Sequence, residues 1–412
     1  MAPEHDTQRF GGLHGSLRGC FEAVGSRASA IIPGPLDELA LTEQLIRYDT
    51  SHAEGVRLCA GFVNGWLEAR GIVARQLDVR GLPVILAEVG PEGAPTVVLH
   101  GHIDVVPGHA EQFEPRLDGD RLIGRGAYDM KGAMAAMLLA LHDIHSAATA
   151  GSENGRLDPV RVRLAVVPDE ESEEAEDRAS DRVVDEGFVG DFAITGEPTD
   201  LHIGVQAKGV LALRLRVSGR AAHGATPWLG DNAVLKALDV FRRIESLPFA
   251  RQSSELFDRP SINLGRIWGG DALNKVPDAC IIDVDIRYLP EQDPQAIRRL
   301  VEAIADTEIV SSFSRPPAVV SSDSVFVRTL GDAVAPSLAD GPTSVGRDGA
   351  SDAVSFLRVG VPAVEFGPTG GGHHGPEEWV SVSSLQAYRQ ALGTFVRTLP
   401  AALSREAEHN AG

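Results

Sequence analysis

The sequence predicts an α/β domain, with helices on both faces of its sheet, interrupted by a smaller α+β domain. Three observations carry this reading. Short apolar runs over 84–89, 96–99, 160–167, 192–195 and 362–366 alternate with helical stretches, the pattern of a sheet covered by helices. Residues 211–218 instead alternate apolar with polar side chains, which describes a strand with one open face. The first style returns only at Pro362, so the middle of the chain reads as an insertion. A length of 412 residues leaves room for both, since a domain commonly takes about 100–150.

Taken in order, residues 1–34 are rich in Gly, Ser, Arg and His without sustained periodicity. They read as a disordered leader with one short helical turn over 21–24. Leu39, Leu41, Leu45 and Ile46 then mark a first helix, and Leu58, Phe62, Trp66 and Leu67 a second, closed by Gly71. A long helix over 130–145 lies between the second and third apolar runs. Further on, Asp231 caps a helix whose Val234, Leu238, Phe241 and Ile244 form one stripe. An alternating strand over 279–288 and a helix near 294–305 complete a β-α-β-α run. The larger domain therefore takes 35–206 and 318–405, and the inserted one 207–317.

Composition narrows the function. Lys and Arg number 38 against 58 Asp and Glu, a formal charge of −20. An acidic chain without a basic run is a poor binder of polyanions, so no nucleic acid and no membrane surface is expected as partner. Cys20, Cys59 and Cys280 are odd in number and far apart, which fits neither a disulfide framework nor a metal knuckle. No stretch approaches the roughly 18 apolar residues of a membrane span. A soluble protein of the reducing cytoplasm is expected.

The chemistry lies where the strands end. Residues 96–99 run into HGHIDVVP, bringing His100, His102 and Asp104. Residues 160–167 run into PDEE, with Asp169, Glu170 and Glu171; 192–195 run into GEPT, with Glu197; 362–366 run into GPTGGGHHGPEE, with His373 and His374. Open α/β sheets bind ligands outside the carboxyl ends of their strands. Imidazole nitrogen with carboxylate oxygen suits zinc or a similar divalent ion. His102, Asp129, Glu171, Glu197 and His374 make five ligands, enough for two ions if one carboxylate is shared, since a catalytic ion needs about three protein ligands. Alone, each has a plainer reading: a polar histidine, a solvated acidic pair, or, for Asp129, a helix cap.

The strings HGHIDVVP, GRGAYDMKG, PDEE, GEPT, GRAAHGATP, NKVPD, DIRYLP and HHGPEE follow one another in the order of a known superfamily. The chain resembles the co-catalytic zinc amidohydrolases and exopeptidases that include acetylornithine deacetylase, succinyl-diaminopimelate desuccinylase, aminoacylase and glutamate carboxypeptidase. The resemblance covers about residues 36–405. It implies a zinc-exopeptidase-like α/β catalytic domain with a mixed sheet and an inserted ferredoxin-like lid that pairs two copies into a homodimer. It also implies two divalent ions, zinc or else cobalt or manganese. Asp129 bridges them, His102 and Glu197 complete one site, and Glu171 and His374 the other. Asp104 orients the imidazole of His102, and Glu170 is the general base. His223 stabilises the oxyanion in the neighbouring subunit's site, Asn274 positions substrate, and Arg287 anchors a substrate carboxylate. His100 and His373 flank true ligands, either as structural residues or as supports that hold the ligands, and the GASDAVSF string near Ser351 and Asp352 resembles a substrate-side loop.

One stretch departs from the family pattern: SEEAEDRASDR follows the Glu pair where relatives carry glycine. It reads as a solvated helix face, with attraction of cationic substrates as the alternative. The expected reaction is hydrolysis of a linear amide, releasing an amino acid from an acetyl- or succinyl-amino acid. A dipeptidase or carboxypeptidase, a biosynthetic amidase and an idle, non-catalytic binding protein are the alternatives.

Overall fold

The computed structural model describes residues 36–149, 159–172 and 177–411; the leader over 1–34 and its helical turn lie outside the described residues. Asp37 caps the first helix, Glu38–Ile46, by accepting the Ala40 N–H, and Leu41, Leu45 and Ile46 turn inward. In the second, Ala53–Glu68, Phe62 packs on the core and Trp66 and Leu67 are buried in it, while Leu58 faces solvent. The long helix runs Gly132–Thr149, starting after the expected position because Asp129 and Met130 leave helical backbone angles.

The main sheet is mixed. Its four central strands, Arg161–Val167, Thr96–His102, Phe192–Thr195 and Ala363–Glu365, run parallel. On one side Leu82–Val89 pairs antiparallel with Arg161–Val167 and then antiparallel with Ala74–Val79; on the other Ile203–Ala207 pairs antiparallel with Ala363–Glu365 and then antiparallel with Ala318–Val319. Ser344–Arg347 also pairs with Ile203–Ala207. Val97, Leu99 and Phe192 pack with Trp66, Met137 and Phe395 on one face. On the other, Val98, Ala193 and Ala363 meet Val184, Val354 and Phe356. Burial on both faces is why these strands read as continuous apolar runs.

The main sheet gives out at Ala207 and resumes at Ala318; the chain between builds a second, antiparallel sheet. Its order is Ser261–Gly269, Ala279–Tyr288, Gly209–Ser218, Thr307–Arg315. Helices Ala233–Glu245 and Pro294–Glu302 cover one face. This β-α-β-β-α-β path, with the first and third strands central, is ferredoxin-like. The two outer strands escape the sequence reading because they are edges: Ser261–Gly269 is exposed along most of its length, so no apolar alternation marks it. The cap of the first lid helix is Asn232, not Asp231. The Asn232 carboxamide accepts the N–H groups of Val234 and Leu235, while Asp231 pairs with Lys236 at 2.9 Å. Among the described residues, no helix is long and apolar enough to cross a membrane.

Candidate metal centre

All four central parallel strands end on the same side, and their exits carry the predicted residues. Two glycines make the convergence close. A β-carbon on Gly101 would lie 2.3 Å from the Met130 side chain, and one on Gly196 would lie 2.5 Å from it. Without side chains there, the loop bearing Asp129 settles against the strand ends that present His102 and Glu197.

His102 is buried, with Nε2 at 3.1 Å from Asp129 Oδ1 and 3.7 Å from Glu197 Oε1. The ligand atoms of these three residues all lie within 4.8 Å of one another, as do those of Asp129, His373 and His374. Asp129 belongs to both groups. His374 Nε2 stands 3.3 Å from Asp129 Oδ2 and 2.9 Å from Glu171 Oε1. His373 also reaches the shared carboxylate: its Nε2 is 2.5 Å from Asp129 Oδ2, nearer than that of His374. His374 takes a φ of +57°, and the two imidazoles then face one carboxylate, their rings 4.3 Å apart. His100 is buried elsewhere, beside Ser180 at 2.9 Å.

Asp104 does two things. Its backbone carbonyl accepts from His102 Nδ1 at 3.0 Å, with its carboxylate 3.5 Å from the same atom. The carboxylate itself accepts the N–H groups of Glu170 at 3.2 Å and Glu171 at 2.8 Å, pinning the turn after Pro168. Glu378, unassigned by the sequence reading, is buried and accepts the N–H groups of Tyr128 and Asp129 at 3.0 and 3.1 Å. Arg125 balances it at 2.7 Å and donates to the His374 carbonyl at 3.2 Å. The second glutamate of GPEE was the only signal for this support.

The electrostatics call for cations. Burial, then the charge of Asp129, pushes the Glu197 carboxyl well above the usual range. Burial raises Glu170 to about 8, opposed by His102 and reinforced by Asp352, Glu171 and Asp129. Burial works against a charged His102, yet its hydrogen bonds to Asp104 and Asp129 outweigh it and raise the imidazole. Bonds to Asp129 and Glu171 lift His374 to about 10. Protons on these rings supply the positive charge the carboxylates demand, and a divalent ion supplies it by displacing them. The donor set fits such ions.

The other candidates belong to the antiparallel sheet and its loops. His223 is exposed in the lid beside Asn274, whose carbonyl accepts the Gly224 N–H at 2.6 Å. Arg287 lies on the open face of the lid sheet with Nε 2.9 Å from Asp285. Among the described residues, no hydrogen bond or ion pair joins these three to the ligand cluster. Within the acidic stretch, Arg178 turns back toward the Glu pair.

Residues 98–398 match the profile of Peptidase family M20/M25/M40. The "Probable carboxypeptidase" of Aspergillus terreus is 32% identical over 60% of this chain and 60% of its own length. The succinyl-diaminopimelate desuccinylase of Xanthomonas oryzae pv. oryzae is 26% identical over 83% of this chain and 93% of its own. In fold, the M20 family metallo-carboxypeptidase Sso-CP2 from Sulfolobus solfataricus superposes with a TM-score of 0.72 at 19% identity, covering 88% of this chain and 99% of that one. Two ligand groups sharing Asp129, set at the carboxyl edge of a mixed sheet and accompanied by these likenesses, place the chain in Peptidase family M20/M25/M40, as a metal-dependent hydrolase of carbon–nitrogen bonds.

Proposed function

We propose that this hydrolase releases an amino acid from an N-acyl amino acid, with Glu170 as general base and two divalent ions, zinc by preference, held by His102, Asp129, Glu171, Glu197 and His374. The observation that carries the reading is the place of Glu170. It follows Asp169 at a strand exit beside the cluster, and among the described residues no hydrogen bond or ion pair joins its carboxylate to a histidine of the cluster, whereas Glu171 Oε1 lies 2.9 Å from His374 Nε2; a carboxylate free of the ligands is the group that can carry a proton. When bound, the ions supply Lewis acidity toward a water and the amide carbonyl. Glu170 takes the proton of the attacking water on its carboxylate and returns it to the amine nitrogen as the bond breaks. Asp104 keeps Glu170 in reach through the two N–H groups it holds. Arg287 receives the substrate carboxylate, exchanging Asp285 for it, and Asn274 orients the amide.

The likeness to a desuccinylase favours an acyl-amino acid; the likeness to a probable carboxypeptidase favours a peptide as the second reading. Turnover by the zinc-loaded protein across acetyl-, succinyl- and formyl-amino acids and dipeptides tests both. Acyl-amino acids are expected to give the higher kcat/KM. Dominant dipeptide turnover would transfer the proposal to the second reading, and inactivity on every member would end both. Within the panel, converting the substrate's free carboxylate to an amide is expected to cost about 2 kcal/mol or more, at least about 30-fold in kcat/KM. Equal turnover of acid and amide removes the role of Arg287.

The family resemblance carries a homodimer paired through the lids, in which each oxyanion is met by the partner subunit's His223; that His223 has no hydrogen bond to its own chain's cluster among the described residues accords with it. Such a donor is typically worth about 10²–10³ in turnover. Mixing inactive His223→Ala with inactive Glu170→Ala and allowing subunits to exchange is expected to restore part of the activity. Confirmed exchange without recovery excludes action across the interface.

A further inference from the structure

The turn carrying Glu170 is held by Asp104 through its N–H groups, and its carbonyls have a partner too. That partner is Arg178, from the stretch that departs from the glycine-rich pattern. Its side chain is only 17% exposed. Nη1 donates to the Glu170 carbonyl at 2.9 Å and lies 3.9 Å from Glu170 Oε1; Nη2 reaches the Ser172 carbonyl at 3.4 Å. A planar guanidinium can bridge two carbonyls in this way, whereas an ammonium reaches them as a point charge.

A largely buried cation needs a counter-charge. Asp352 provides it, buried, with Oδ1 3.9 Å from Arg178 Nη1. The rest of its surroundings fix that carboxylate: Ser180 donates to Oδ2 at 2.5 Å, and His100 and Arg315 stand at 3.8 and 3.7 Å. Arg315 is the last residue of the strand returning from the lid, and it also donates to Ser355 at 2.9 Å.

We infer that Arg178 is a positioning residue for Glu170: it clamps the carbonyl side of the turn opposite Asp104, and Asp352 holds it there. The inference rests on the reading of Glu170 as the base. A base must be placed within a fraction of an ångström, and a displacement of about 1 Å can cost about 10²-fold.

The test uses the zinc-loaded full chain and the best substrate of the acyl-amino acid panel, with hydrogen exchange read on a peptide containing residues 168–172. Arg178→Met is expected to lower kcat about 10–100-fold, to leave KM within about 3-fold and metal content unchanged, and to speed exchange of the Glu170 and Glu171 amides about 10-fold or more. Arg178→Lys keeps the charge for Asp352, serves as the second variant where the methionine variant does not fold, and is expected to fall between. Unchanged exchange in both variants overturns the inference whatever happens to kcat. So does a kcat loss that tracks metal loss, which would make Arg178 a support for the ligands. Full activity in Glu170→Gln would instead defeat the reading of Glu170, while the exchange result still decides whether Arg178 holds the turn.

Discussion

Glu170→Ala is expected to reduce kcat by at least about 10²–10⁴-fold, the usual worth of a general base, while the protein keeps its full metal content. Glu171→Ala is expected to lose metal as well as activity. The contrast follows from geometry. Glu171 Oε1 is 2.9 Å from His374 Nε2, whereas among the described residues no hydrogen bond or ion pair joins Glu170 to either ligand group; it is tied instead to Arg178 and, through its N–H, to Asp104. Kinetics and elemental analysis on the same preparations separate the two roles. Equal metal loss in both variants would show that the adjacent glutamates are wrongly assigned.

Asp129→Ala is expected to abolish turnover and to release both ions, because Asp129 stands in both candidate ligand groups. Disturbing residues that merely support ligands typically costs about 10–100-fold in metal affinity, and a shared ligand costs more. His374→Ala is expected to release one equivalent. If the wild-type protein never retains more than one equivalent after reconstitution, the two-ion arrangement fails. Chelation has a stability signature of its own. A carboxyl whose pKa is raised by folding is a penalty that is absent below its unfolded value and grows as pH rises toward its folded one. Glu170, raised to about 8, and Glu197, also raised, therefore make the metal-free protein lose stability between about pH 5 and 8. A cation at 100 times its Kd adds about 2.7 kcal/mol and relieves that penalty. Thermal midpoints measured with EDTA should fall across this range, and those with zinc should not. Parallel profiles would show that these carboxyls do not govern the metal-free state.

How much of this was legible in the sequence depended on whether the signal was local. The four central strands announced themselves because burial on both faces demands unbroken apolar residues, and each ended in a string rich in ligand chemistry. The lid's two inner strands were legible by alternation; its edges, Ser261–Gly269 and Thr307–Arg315, were not, since solvent on their open side relaxes the pattern. Family resemblance supplied roles for His223, Asn274 and Arg287 that local sequence could not.

By itself, then, the amino-acid order determined the α/β class and marked out the residues whose chemistry suits a metal, both properties of short windows of chain. Tertiary structure alone decided which of those residues meet. It brought His373 as well as His374 onto Asp129, through a left-handed backbone turn that two adjacent histidine letters do not disclose. It drew Glu378 under the Asp129 loop from 249 positions away. And it folded Arg178 back onto the carbonyl of Glu170 instead of out to solvent. Contacts of this kind are set by distance in space and by the need of every buried charge for a partner, and neither can be read from spacing along the chain.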